Sequence, residues 1–189
     1  MSQELEIEFK NMLTSDQFAQ LCKSFNVSST SFFKQLNDYF DTPTLGLREK
    51  KSALRIRHVD GKHDLTLKQP HQHAILETHQ QLSDQESLEM IQFGIMPSGS
   101  VEQAITGLGI DVDQLVHLGQ LKTERCQFSY KNGELFLDHS FYLKKEDYEL
   151  EFEAADSESG KKIFEELLKA HAIERKPSAH KIARLYQAL

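Results

Sequence analysis

Apolar and polar residues alternate without a break from Glu4 to Lys10. Side chains of a strand point to opposite faces in turn, so Glu4, Glu6, Glu8 and Lys10 share one face and Leu5, Ile7 and Phe9 the other. The pattern predicts a first strand with an apolar face toward the core. The same alternation returns at Tyr148-Glu149-Leu150-Glu151-Phe152-Glu153. Between these stretches it predicts a strand at 53–59, a tight turn at Asp60-Gly61 and a return strand at 63–68. A loop at 69–73 then leads to a strand at 74–82. Two more strands, 118–130 and 134–142, flank Asn132-Gly133, the strongest hairpin signal in the chain.

Helix signals punctuate these runs. Thr14-Ser15-Asp16-Gln17 and Ser83-Asp84-Gln85-Glu86 have the capping-box pattern, predicting helices to about Ser24 and Phe93. A β-rich stretch at 31–41 ends where Pro43 forces a turn, followed by a short turn or helical piece at 45–50. A further short helix is expected at 101–106, making 83–116 a helical insertion too short for a core of its own. The chain ends with helices at 157–171 and beyond Pro177. About eight strands, mostly joined by hairpins, predict an α+β fold: an eight-stranded antiparallel β-barrel with flanking helices. At 189 residues, one domain over 1–189 is expected.

Charge narrows the partners. A formal net charge of -7 and no polybasic run argue against nucleic acid or an anionic membrane. Neither a signal peptide nor an apolar run of membrane-spanning length is visible, and unpatterned Cys22 and Cys126 suit a cytoplasmic setting. Each cysteine reads as a small buried hydrophobe rather than a nucleophile. His71 and His73 are the nearest histidine pair, but a loop pair without cysteine or a third ligand is a poor zinc signal. Acidic helix faces at Glu86-Glu89 and Glu165-Glu166 read as solvated surface. Phe32, Phe33, Tyr39 and Phe40 read as core or cavity wall, since no basic surface accompanies them for stacking bases.

Charged strand faces carry the chemistry. Glu4, Glu6, Glu8 and Lys10 lie on the first strand and Glu149, Glu151 and Glu153 on the last. Arg55, Arg57, Lys68 and Arg125 stand on strands between them, with Glu77 and Asp138 as further acids. If these faces line one cavity, it suits a polyphosphate with its metal. Carboxylates take a hard Mg²⁺ or Mn²⁺, which completes its shell with phosphate oxygens. Arginine adds bidentate hydrogen bonds to phosphate, and lysine a point charge.

Glu6-Ile7-Glu8-Phe9-Lys10 resembles the ExExK signature of the CYTH, or triphosphate tunnel metalloenzyme, superfamily. Tyr39-Phe40-Asp41-Thr42-Pro43 is similar to its YYDTP segment, Leu54-Arg55-Ile56-Arg57 to its LRIR strand, and Leu65-Thr66-Leu67-Lys68 to the lysine strand that follows. Lys122-Thr123-Glu124-Arg125 resembles the later basic strand, and 135–138 and 149–151 the late acidic strands. Lys181 resembles the C-terminal lysine. The chain looks closest to the small stand-alone bacterial members.

The resemblance implies a charged tunnel in which Glu6, Glu149 and Glu151 hold one divalent ion and Glu8 helps hold a second. Lys10, Arg55, Arg57, Lys68, Arg125 and Lys181 would grip the triphosphate, with Lys10 and Arg57 the expected catalytic residues. Asp138 and Glu77 rank second among tunnel residues. Glu4 and Glu153 extend the acidic rows, leaving the ligand register open by two residues. Lys176 competes with Lys181, which fits better beyond Pro177 and before Ile182. The implied activity is metal-dependent hydrolysis of a triphosphate by a monomer or homodimer. Inorganic tripolyphosphate is favoured because no aromatic set announces a pocket for an organic group; thiamine and nucleoside triphosphates stay open. The alternatives are a polyphosphate or nucleotide sensor and an adenylate cyclase. The chain lacks the HF pair that class IV cyclases carry before ExExK.

Overall fold

The computed structural model describes residues 2–72 and 74–188; His73, and with it the end of the expected loop, lies outside them. The chain divides into two compact units, Met1–Glu6 with Leu36–Leu121 and Ile7–Gln35 with Lys122–Leu189. Nine strands and six α-helices occur among the described residues, one strand more than expected.

The extra strand comes from the first one. β1 (Ser2–Glu6) and β2 (Glu8–Leu13) are separate, because the chain changes partner at Ile7. β1 pairs with β6 (Ala74–Leu82), whereas β2 pairs with β9 (Lys145–Ala154). Ile7 leaves both ladders, but its carbonyl accepts a hydrogen bond from the Ala154 amide at 2.9 Å. The expected apolar face is correspondingly uneven. Leu5 is 59 % exposed on an end strand, whereas Phe9 packs on Phe164 in the core.

In the first unit the strands run in the order β1, β6, β5 (Lys62–His71), β4 (Ala53–Val59), β3 (Phe33–Asp41), each antiparallel to its neighbour. One face is Leu54, Ile56, Leu65 and Leu67 with Phe40. α3 (Asp84–Phe93) and α4 (Ser100–Gly107) add Met90, Val101 and Ile105 to that core. Burying a side chain of this size stabilises by roughly 1.5–3 kcal/mol. β5 continues through Pro70, where a loop was expected, because Pro70 sits near the hairpin end opposite Ile75 and few ladder bonds depend on its missing N–H. Asp41 explains its segment structurally. Its carboxylate accepts from the amides of Thr42, Leu47 and Arg48 and so anchors α2 (Gly46–Glu49).

In the second unit the order is β7 (Val116–Tyr130), β8 (Gly133–Tyr142), β9, β2. Leu135, Leu137, Leu150 and Phe152 face α1 (Ser15–Ser24) and α5 (Ser157–Ala170), which contribute Leu21, Phe164, Leu167 and Leu168. Cys22 and Cys126 are unpaired and belong to the same apolar region, and burial pushes both thiols up. The β7–β8 turn sits one residue earlier than Asn132-Gly133 suggested, on Lys131-Asn132, with Tyr130 opposite Gly133. Gly133 serves packing: a Cβ there would lie 2.2 Å from the Glu153 carbonyl oxygen. β9 begins three residues before the expected Tyr148, because the hairpin turn at Leu143-Lys144 carries no glycine or proline to mark it.

Candidate functional site

Register builds the second unit's charged face. Glu149 of β9 stands opposite Asp138 of β8, which stands opposite Arg125 of β7; Lys10 of β2 stands opposite Glu151. Because Leu150 and Leu137 must face the helices, the alternation turns these charged neighbours the other way. Arg125 forks both Asp138 oxygens, at 2.7 and 2.6 Å, and reaches Glu151 at 2.6 Å. Its guanidinium also lies 4.5 Å from the Phe136 ring. Lys10 pairs with Glu8 at 2.8 Å and Glu151 at 3.2 Å.

The C-terminal segment completes this cluster. Asn11, fully buried, donates to the Glu174 carbonyl and accepts from the Lys176 amide at 2.7 Å and from Arg175. The Met12 amide donates to the Lys176 carbonyl at 3.0 Å. Beyond this tether, the Ser178 hydroxyl donates to Glu149. Lys181 opens α6 (Lys181–Tyr186) and places its ammonium 2.8 Å from Asp138, 2.7 Å from Glu149 and 2.5 Å from Glu151. Arg184 reaches Glu149 at 2.9 Å and Asp147 at 3.4 Å. Of the two competing lysines, Lys181 enters the cluster and Lys176 is exposed.

Asp138, Glu149 and Glu151 are all buried and offer carboxylate oxygens within 4.8 Å of one another. An all-oxygen donor set of this charge fits Mg²⁺ or Mn²⁺ in kind. Burial alone would raise the Glu151 and Asp138 carboxyls. Lys10, Lys181 and Arg125 outweigh it at Glu151 and hold that carboxyl well below the usual range, and Arg125 and Lys181 lower Asp138 in the same direction. The same logic runs in reverse for the cations. Burial would lower Lys10 and Lys181, but the surrounding carboxylates hold both ammoniums above their usual value.

The first unit also carries a charged face. Lys68 of β5 stands opposite Glu77 of β6, which stands opposite Glu4 of β1. Lys68 pairs with Glu77 and, at 2.6 Å, with Glu6. Arg57 donates to Asn37 at 3.2 Å, and half-buried Arg55 stands opposite Thr66. His79, which the pattern of the chain does not single out, is the hub of this face. Its Nδ1 lies 2.8 Å from Asp64, and its Nε2 3.2 Å from Glu4 and 3.3 Å from Glu77. Asp64 and Glu77 push the imidazole up to about 10, so it is an imidazolium at neutral pH.

Glu6 thus belongs to the first unit's face, and Glu8, Glu149, Glu151 and Glu153 lie in the second unit, where Glu153 stands opposite Glu8. Asp138, ranked second in the sequence, joins Glu149 and Glu151 as a direct candidate ligand. Arg184, Ser178 and Asn11 were not anticipated: Asn11 lies in β2 just past the alternating run, Ser178 in the C-terminal coil and Arg184 in α6, where strand alternation gives no signal. His58, His117 and Gln120 converge on buried Asp38, with both histidines within 2.8 Å. These histidines come from distant strands, so no spacing reveals them. His71 is exposed, and His73 lies outside the described residues.

The CYTH domain family matches residues 4–186. A Bacillus subtilis (strain 168) protein named "Putative triphosphatase YjbK" is 45% identical over 187 residues, 99% of this chain and 97% of the relative. A Bacillus halodurans crystal structure named for a putative adenylate cyclase superposes with a TM-score of 0.95 at 41% identity, covering 97% of this chain and 98% of the other. A Hippeastrum protein, named a putative adenylyl cyclase with a dominant triphosphatase activity, shares the fold at TM-score 0.80 and 24% identity, covering 98% and 96%. The expected fold class, α+β on an antiparallel β-barrel plan with flanking helices, holds, with nine strands in place of eight.

Proposed function

The chain belongs to the CYTH domain family, and from that premise we propose that it hydrolyses a triphosphate with the help of a divalent metal ion. The observation that carries this reading is the buried trio Asp138, Glu149 and Glu151, ringed by Lys10, Arg125 and Lys181. Carboxylates alone would suit a cation; cations alone would suit an anion. Interleaved at hydrogen-bond distance, they suit a metal and a polyphosphate together. The name of the Bacillus subtilis relative supports the same activity.

A Mg²⁺ or Mn²⁺ ion on the trio would supply charge neutralisation for the transferring phosphoryl group. Lys10 and Arg125 would hold phosphate oxygens, Arg125 through the Nη1 that Asp138 and Glu151 do not take and Lys10 as a point charge. Arg55, Arg57 and Lys68 of the first unit are proposed as further phosphate ligands, Arg57 and Lys10 as the catalytic pair, and Glu6 and Glu8 as further metal ligands. Such groups accelerate phosphoryl transfer mainly by position and by stabilising charge on the transferring and leaving oxygens. Tripolyphosphate is the favoured substrate. The unpaired thiols Cys22 and Cys126 accord with a cytoplasmic setting.

The deciding experiment is phosphate release from tripolyphosphate, ATP and thiamine triphosphate, with Mg²⁺, with Mn²⁺ and with chelator. Release that needs metal and disappears in Glu151→Gln and Arg125→Gln supports the proposal. No release from any of the three by folded protein with metal present overturns it. A second reading, cyclisation of ATP, draws on the name of the Bacillus halodurans structure. Formation of cyclic AMP from ATP, at a rate above phosphate release, would favour that reading.

A further inference from the structure

Six carboxylate oxygens make up the trio, and every one already has a donor. The Asp138 oxygens take Arg125 Nε at 2.7 Å and Nη2 at 2.6 Å. On Glu149, Oε1 takes the Ser178 hydroxyl and Oε2 takes Lys181 and Arg184. On Glu151, Oε1 takes Lys181 and Oε2 takes Arg125. Lys181 differs from the arginines in one respect: its ammonium meets all three acids at once, at 2.5 to 2.8 Å. An ammonium has three protons, so the trio saturates it.

A Mg²⁺ ion binds oxygen at about 2.0–2.1 Å. An ion taking one oxygen from each acid must therefore enter the space around the Lys181 nitrogen, putting a double positive charge within one ligand shell of a single one. Metal and ammonium compete for the same oxygens. Lys181 can yield where Arg125 cannot. Arg125 is forked onto Asp138 by a rigid planar group, whereas Lys181 has a flexible four-carbon stem. The segment leading to it is anchored upstream, where Asn11 binds Glu174 and Lys176.

We propose that Lys181 is an exchange ligand: it occupies the acidic trio until triphosphate draws its ammonium away, so that metal and triphosphate load together rather than separately. This rests on the triphosphate reading given above. Phosphate oxygens are the anionic acceptors that replace the carboxylates around the ammonium, and the metal replaces the ammonium around the carboxylates. Each ligand removes the obstacle to the other, so each tightens the other by the same factor.

The test measures Mn²⁺ binding by the electron paramagnetic resonance of free Mn²⁺. The protein is used alone and with a methylene-bridged, non-hydrolysable tripolyphosphate analogue, and a protein-free titration is subtracted for Mn²⁺ held by the analogue itself. Wild type is expected to bind Mn²⁺ weakly alone and at least tenfold more tightly with the analogue. Lys181→Met is expected to bind Mn²⁺ alone at least tenfold more tightly than wild type, with the coupling reduced toward unity. Lys181→Gln, which keeps a hydrogen-bonding head without the charge, is expected to do the same. If both variants fail to fold without metal, recovery of a cooperative melt on adding Mn²⁺ supports the exchange. Failure to fold with or without Mn²⁺ leaves the wild-type coupling to decide. Unchanged Mn²⁺ affinity with the analogue, or folded variants that bind Mn²⁺ no more tightly than wild type, overturns the proposal. An analogue that binds without regard to Mn²⁺ defeats the exchange alone; one that binds under no condition defeats the triphosphate reading as well.

Discussion

Glu149 of β9 is where the C-terminal segment converges, since Ser178, Lys181 and Arg184 all donate to it. Glu149→Gln keeps the shape and removes the charge. Leaving buried cations short of a partner typically costs about 3–5 kcal/mol, so urea unfolding should show a loss of that order. Metal-dependent phosphate release should fall at least a hundredfold. The partly exposed pair of Lys122 and Glu124 is the contrast: Lys122→Ala should change stability by about 1 kcal/mol or less and leave release within twofold. His79 makes a prediction of a different kind. Asp64 and Glu77 raise its folded value to about 10 from an ordinary 6.5. A raised value means the folded state holds the proton more tightly, so the stabilisation is complete below pH 6.5 and fades as pH climbs through 10. Melting temperatures of wild type and His79→Gln should therefore differ most near pH 6 and converge above pH 10. A gap that widens with pH would refute this account of the His79 cluster. The alternation of Glu6, Glu8 and Lys10 is written in consecutive residues and can be read there. The state of His79 depends on Asp64 of a neighbouring strand, fifteen positions away, and cannot.

Elements were legible where their cause is local. Thr14 and Ser83 both form the capping boxes that their sequences announce, because each box closes within four residues. Boundaries that depend on a distant partner were not. The split at Ile7 follows from pairing with β6 before it and β9 after it, and alternation passes through the break unchanged. The Asn132-Gly133 signal misplaced its turn because the glycine answers to the crowding of Glu153 and Phe152 rather than to the turn. The C-terminal coil shows the same dependence on a distant partner. Asn11 binds the backbone of both Glu174 and Lys176, beside the Met12 amide on the Lys176 carbonyl, and that tether precedes Ser178, Lys181 and Arg184 in the chain. Asn11→Ala removes three part-buried hydrogen bonds to 174–176, worth about 0.5–1.5 kcal/mol each. Amide hydrogen exchange should then speed up across 174–186 while α5 keeps its protection. Phosphate release should fall even though Asn11 itself touches neither metal nor phosphate in the proposed reaction. Unchanged exchange across 174–186 would remove Asn11 as the tether.

At the scale of the whole molecule, family membership was readable because the order of short motifs from Glu6 to Lys181 carries it, with no need for coordinates. The state of the site without ligands was not readable, because it depends on which cations fill it. A site made only of acids would repel itself and need a resident ion to be stable. Here Arg125, Lys181 and Arg184 already neutralise the trio from within the second unit. Chelation should therefore leave the melting temperature of wild type unchanged within about one degree. Ligands that bind only the folded chain add stability by mass action, about 2.7 kcal/mol at a hundred times the dissociation constant. For a chain of 189 residues each kcal/mol raises the midpoint by about 2–4 °C, so Mn²⁺ with the non-hydrolysable analogue should raise it by roughly 5–11 °C. Mn²⁺ alone should raise it far less, since Lys181 stands where the ion would bind. A fall in melting temperature on chelation would mean that the trio keeps an ion at all times, and that the cations around it are arranged for that ion rather than in its place.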